Sequence, residues 1–343
     1  MSDDAQDAVA EALPVEFLPW HAAANSRLQT AVAGGRLSHG LLLHGPDGVG
    51  KERFAAALAA ALFCTRRGKQ LAACGECADC LLSRAGSHPD LHWVRVLQDA
   101  KEKRAKKSIG VDQIRELSEK LSLTSMRSGY RVAVITPADL MTTAAQNALL
   151  KTLEEPAART VLVLVTARPS RLLATLRSRS QRVEIARPEE QSALLWLKEM
   201  LDGGVSDRLL ALAGGAPLKA VRLAPHFEAL ESQMVQILEA LLSGRAEITR
   251  LAEDMQGEGL PTRLDWLESW LGVAIRRRTL GDETRLTLPG GPLLQRAAAA
   301  VNITQAFRLA DRLREARRLL EGSAAPQLLV EVLLIELRAA CGP

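Results

Sequence analysis

The sequence predicts an α/β fold: a parallel sheet with helices on both faces, built around a phosphate-binding loop, then an all-helical second half. Three observations predict it. Two near-continuous apolar runs, "YRVAVIT" (130–136) and "TVLVLVT" (160–166), have the composition of strands buried on both faces. A G-x-x-x-x-G-K spacing, Gly45 to Gly50 with Lys51, follows an apolar run and opens an Ala-rich helix. After Pro188 strand patterns stop and helical periodicity takes over.

In chain order, residues 20–33 have helical spacing and stop at Gly34-Gly35. "HGLLLHG" (39–45) predicts a buried strand and residues 51–63 a helix. "LHWVRVL" (91–97) and "QRVEI" (181–185) complete the strands, with helices at 111–122 and 142–153 between them. Such alternation predicts a doubly wound domain. Beyond Pro188, residues 194–201, 207–213 and 218–223 read as short helices. Residues 230–242, 262–278, 303–320 and 327–340 read as long amphipathic ones. The last starts after Pro326 and is apolar around much of its circumference, so it belongs at a bundle centre or against another subunit.

The bulk properties suit a globular chain of two or three domains: 343 residues, 3% aromatic, formal charge +4. So mild a charge does not by itself argue for nucleic acid. No apolar run is long enough to span a membrane. The start, "MSDDAQDAVAEALPVE", is acidic without an apolar stretch, so it is no signal peptide, and its first dozen residues read as a frayed tail. A cytoplasmic protein is the expectation.

Four of the five cysteines cluster: Cys64, then Cys74, Cys77 and Cys80 in "CGECADC". Four thiolates complete a tetrahedral Zn²⁺ shell with no open position, which predicts a structural zinc module inserted after the loop helix. His88 and His92 are the alternative ligands. A redox pair fits this insertion less well. Cys341 has no partner in the pattern.

The loop departs from a working NTPase at its end. Glu52 stands where a Ser or Thr hydroxyl should hold Mg²⁺. The candidate metal strand, 131–141, carries Thr136 and Pro137 at its tip, and Asp139 comes only later, in a following helix. Gly45, Gly50 and Lys51 therefore form a degenerate phosphate loop with weak or no nucleotide binding. Lys51 keeps some attraction for an anion, and Glu52 repels one. Own-site hydrolysis is expected to be negligible.

"SHGLLLHGPDGVGKE" (38–52), the cysteine insertion, "GSHPDLHWV" (86–94), "IGVDQIRELSEKL" (109–121), "NALLKTLEEP" (147–156) and "LLATLRSRS" (172–180) occur in that order. Together they resemble the clamp-loader branch of AAA+ proteins. The resemblance implies a five-subunit ring that places the sliding clamp on primed DNA. It implies γ/τ motors and δ as partners, with this chain as a non-hydrolysing stator among them. It divides the chain into an AAA+ domain (1–187) with the zinc module at 64–80, a three-helix lid (188–228) and an all-helical oligomerisation collar (229–343). The family's Ser-Arg-Cys motif reads Ser178-Arg179-Ser180 here, which implies that Arg179 is an arginine finger for a neighbour's ATP. Residue chemistry alone leaves Arg177 and Arg182 as competitors. The motors' own-site arginine in the small domain aligns with Leu218, one residue from Lys219. Thr166 aligns with a polar sensor position. The missing hydroxyl, carboxylates and arginine agree with the stator and not with a motor.

Two alternatives remain at this point: an AAA+ ATPase hydrolysing its own ATP, and a zinc-ribbon nucleic-acid binder. The cation run Lys101, Lys103, Arg104, Lys106 and Lys107 would suit phosphates, but no stacking aromatics accompany it. Arg276, Arg277 and Arg278 end a helix, where cations complement the dipole.

Overall fold

The protein is described from a computed structural model, over residues 14–68, 70–97, 108–127, 129–201, 207–244, 246–257, 259–280, 290–320 and 324–342. The expected N-terminal tail and the cation run 101–107 lie outside these residues. The chain divides into two compact units, Met1–Pro188 and Glu189–Pro343.

In the first unit, α1 (Ala22–Ala33) precedes five strands: β1 (Gly40–His44), β2 (Leu91–Val94), β3 (Arg131–Ile135), β4 (Thr160–Thr166) and β5 (Gln181–Glu184). They form one all-parallel sheet in the order β2-β3-β4-β1-β5. Every residue of β3 and β4 is buried, as parallel strands covered on both faces must be. Helices α2 (Lys51–Phe63), α3 (Ala78–Arg84), α4 (Val111–Ser122), α5 (Thr143–Glu154) and α6 (Ala174–Arg179) fill the connections. α2 matches its expected bounds, because Gly50 in the left-handed region (φ 87°) turns the loop into it. At α5 the Thr142 hydroxyl accepts from the Ala145 N–H at 3.2 Å, an N-cap that fixes the start.

Every described element of the second unit is helical. α7 (Glu190–Met200), α8 (Asp207–Leu212) and α9 (Pro217–Leu223) come first. α10 (Phe227–Leu242), α11 (Ile248–Asp254), α12 (Leu260–Leu280), α13 (Pro292–Ala300), α14 (Ile303–Leu320) and α15 (Pro326–Cys341) follow. One apolar cluster runs through all of them and includes the buried Trp266 and Trp270 of α12. α15 answers its own ambiguity. Val330, Leu333, Leu334 and Leu337 are buried in this core, while Leu328, Val332 and Ile335 are exposed on the same helix. The fold class is the one the sequence predicts, a parallel α/β sheet followed by a second half whose described elements are helices.

Candidate functional site

The phosphate loop leaves the carboxyl end of β1, where ligands of open parallel sheets bind. Gly45 has φ +154°, and a Cβ there would stand 2.1 Å from the Ile185 carbonyl oxygen just past β5. Only glycine fits that approach. The loop is also held from outside. Val49 is fully buried, and its carbonyl accepts from Trp20 Nε1 at 2.8 Å and lies 3.2 Å from His21 Nε2. His21 Nδ1 in turn accepts from the Leu18 N–H at 3.1 Å. One neutral tautomer, protonated at Nε2, satisfies both contacts. Burial, with Arg53 adding to it against the Val49 bond, lowers the His21 pKa from 6.5 to about 4.

Lys51 turns back onto its own loop. Its ammonium donates to the Pro46 carbonyl at 2.7 Å and lies 3.4 Å from Asp47, and the side chain is 8% exposed. Burial lowers its pKa, with Asp47, Asp139 and Glu52 opposing the shift.

Glu52 is engaged on both oxygens. Thr136 Oγ1 donates to Oε1 at 2.8 Å, and Arg95 Nη2 lies 3.3 Å from Oε2. Arg95 itself sits over the Trp93 ring at 4.7 Å. The helix thus carries the acid and the strand tip the hydroxyl, the reverse of the arrangement that holds Mg²⁺ in P-loop NTPases. Here the two groups bond to each other. Asp139 lies in a short 3-10 turn, Ala138–Leu140, and accepts from Thr166 Oγ1 at 2.6 Å. In the second unit Lys219 pairs with Asp265, which also holds Arg317 at 2.5 Å, so Lys219 is already engaged.

The four cysteines converge. The Sγ atoms of Cys64, Cys74, Cys77 and Cys80 all lie within 4.8 Å of one another, and His88 and His92 do not join them. Two of the separations are 3.9 Å (Cys74–Cys80) and 4.0 Å (Cys64–Cys77). A tetrahedron with Zn–S bonds of about 2.3 Å needs sulfurs about 3.8 Å apart, so the donor set fits that metal. Backbone N–H groups of Cys74 and Cys77 point at the sulfurs of Cys64 and Cys74, each at 3.4 Å, as suits thiolates. Around the cluster, Asp79 accepts from Arg127 Nε at 2.8 Å, and His88 stacks on Phe63 at 3.9 Å. The first contact ties the cluster's helix, α3, to the segment between α4 and β3, and the second ties the end of α2 to the segment before β2. Cys341 is buried in the helical core, and burial pushes its thiol up to about 11.

Arg179 is the last residue of α6, directly before β5, so it lies at the amino ends of the parallel strands. Its carbonyl oxygen would be 3.2 Å from a Cβ on Gly40, the first residue of β1. The phosphate loop begins at the other end of that strand, about 16 Å away at roughly 3.3 Å per residue. Arg179 is therefore too far to reach its own loop. Its Nη2 lies 2.7 Å from Glu154 Oε1.

Sequence reasoning missed the roles of Trp20, His21 and Arg95. Each acts across 28 to 43 residues of chain, and no local spacing signals such a contact.

The fold and these sites define an α/β protein with a glycine loop of P-loop spacing at the carboxyl end of β1, where the Thr136 hydroxyl bonds the Glu52 carboxylate, and with a four-thiol cluster beside the loop helix. Comparison with known proteins makes the assignment particular. The family model described as "DNA polymerase III, delta subunit" matches residues 20–189. The DNA polymerase III subunit delta′ of Pseudomonas aeruginosa is 38% identical, covering 80% of this chain and 81% of the relative. That of Escherichia coli is 36% identical over the same shares. A gamma-subunit-related protein of Thermotoga maritima matches in structure with a TM-score of 0.46 at 19% identity, covering 93% of this chain and 100% of that one. The chain belongs to the DNA polymerase III delta′ family.

Proposed function

We propose that the chain is a non-hydrolysing δ′-type subunit of the DNA polymerase III clamp loader. It assembles with γ/τ and δ as a stator, acts with them on the sliding clamp and primed DNA, and donates Arg179 to a neighbour's ATP. The Thr136–Glu52 hydrogen bond carries this reading. It ties up the hydroxyl and the carboxylate that would otherwise be available to Mg²⁺ at the loop. The place of Arg179, at the strand ends opposite its own loop, supports action in trans. A permanently charged planar guanidinium is the group that phosphoryl transfer recruits there.

In the same reading residues 1–187 are the AAA+ domain, 188–228 the lid and 229–343 the oligomerisation collar. The exposed stripe Leu328, Val332 and Ile335 on α15 supports a subunit contact, since apolar surface at this spacing marks a binding face. Cys64, Cys74, Cys77 and Cys80 would hold a structural Zn²⁺, whose closed shell leaves no position for chemistry.

The test is DNA-stimulated ATP turnover of the reconstituted loader, with this chain wild type or Arg179→Ala, and the chain alone as control. The reading expects no turnover by the chain alone and a clear drop in an intact Arg179→Ala complex. Turnover by the chain alone would support a motor instead. An unchanged mutant complex would remove Arg179 from the mechanism.

A further inference from the structure

The Arg179 guanidinium already has a partner within its own chain. Nη2 meets Glu154 Oε1 at 2.7 Å, and Nη1 lies 3.4 Å from the Thr175 carbonyl. Glu154 ends α5 and Arg179 ends α6, two helices packed on each other. Gly40 is what lets the two ends converge. A Cβ there would stand 2.7 Å from Leu153 Cδ2 and 3.2 Å from the Arg179 carbonyl oxygen, and Leu153 is itself buried. The pair is thus built by the packing beneath it.

We propose that Glu154 is a positioning residue for Arg179, a resident counter-ion that the guanidinium leaves for a phosphate oxygen of the neighbour's nucleotide. The proposal rests on the reading of Arg179 as a donor in trans. Both side chains are about half exposed, 41% and 50%, so water screens the pair and the hold is weak enough to exchange. A nucleotide triphosphate offers several charges against one carboxylate, and the fork has five donors to offer. Until then Glu154 cancels the charge of Arg179 and keeps its long side chain beside α5. Breaking the pair costs the same in the bound complex and in the transition state. The cost therefore falls on apparent ATP affinity and not on the chemical step.

The experiment measures KM for ATP and kcat of the reconstituted loader with wild type, Glu154→Gln, Glu155→Gln, Arg179→Ala and the Glu154→Gln/Arg179→Ala double variant. Removing the counter-ion is expected to lower KM about two- to fivefold, the span of an exposed ion pair, with kcat unchanged. Glu155→Gln, one residue on, should leave both constants alone. In the Arg179→Ala background Glu154→Gln should have no effect. Nitrogen NMR of the Arg179 side chain in the isolated chain should shift on Glu154→Gln, which checks the pair without the assembly. An unchanged or raised KM, or an equal shift in both backgrounds, overturns the proposal. If Arg179→Ala itself leaves turnover intact, the finger reading falls first and takes the proposal with it.

Discussion

Thr136 Oγ1 donates to Glu52 Oε1 at 2.8 Å across 84 residues of chain, joining the tip of β3 to the first turn of α2. A hydroxyl on the helix and a carboxylate on the strand would hold Mg²⁺ between them. With the two side chains interchanged, the acid reaches the hydroxyl directly, and Arg95 covers its second oxygen. The loop keeps its glycines because the backbone path needs them, while Lys51 turns back onto the loop carbonyl of Pro46 and Glu52 is held by Thr136 and Arg95.

If the interchange is what removed nucleotide chemistry, reversing it should restore part of it. The Glu52→Thr/Thr136→Asp variant is expected to bind ATP in a Mg²⁺-dependent way at least about tenfold more tightly than wild type, or 1.4 kcal/mol. Glu52→Thr alone should gain less, because the strand still lacks its carboxylate. Titration calorimetry of the isolated chains checks this, and equal affinities would contradict it.

Gly45 should be irreplaceable. An alanine Cβ 2.1 Å from the Ile185 carbonyl forces the loop or the end of β5 to move. Unfolding in denaturant should show a loss of more than about 3 kcal/mol, or no folded protein. A Gly45→Ala variant within about 1 kcal/mol of wild type would contradict the geometry.

The cysteine cluster predicts about one zinc per chain and a lower melting temperature on chelation. Cys80 is fully buried and Cys74 is exposed, so Cys80→Ser should destabilise more than Cys74→Ser. Metal analysis with thermal melting of both variants tests this. A metal-free chain that melts at the same temperature with or without chelator would count against the site.

His21 predicts a pH dependence. Its folded pKa, about 4, lies below the ordinary 6.5, so the unfolded chain binds the proton first. The stability it contributes is complete above pH 6.5 and is lost as pH falls from 6.5 towards 4. The loss amounts to at most about 3 kcal/mol. Protonation would put a donor on Nδ1 against the Leu18 N–H. Between pH 6.5 and 5, above most carboxylate titrations, His21→Gln should flatten the fall in stability. His88 and His92, also lowered chiefly by burial, keep part of the slope. An unchanged slope in His21→Gln would contradict the assignment.

Most of the fold was legible because its signals are local. The apolar runs of β3 and β4, Gly50 before α2 and Pro326 before α15 each mark an element within a few residues. Four helices, α3, α6, α11 and α13, were not read: they are six to nine residues long, where periodicity is a weak signal, although Pro292 opens α13 as Pro326 opens α15. The candidate sites divide the same way. Glycine and cysteine spacings were visible in the chain, and the Arg179 motif came with the family resemblance. The bonds that give these residues meaning, Glu52 to Thr136 and Glu154 to Arg179, join distant segments and depend on sheet order and helix packing. A sequence can show that a hydroxyl is missing from one position. It does not show that the acid in its place has found the hydroxyl at another.

The most direct measurement is titration of the isolated wild-type chain with ATP, with and without Mg²⁺, followed by a turnover assay on the same sample. The account predicts no Mg²⁺-dependent binding at millimolar nucleotide and no hydrolysis. Mg²⁺-dependent binding in the micromolar range, or turnover by the chain alone, would contradict it and make the Glu52–Thr136 pair a working metal site in exchanged positions.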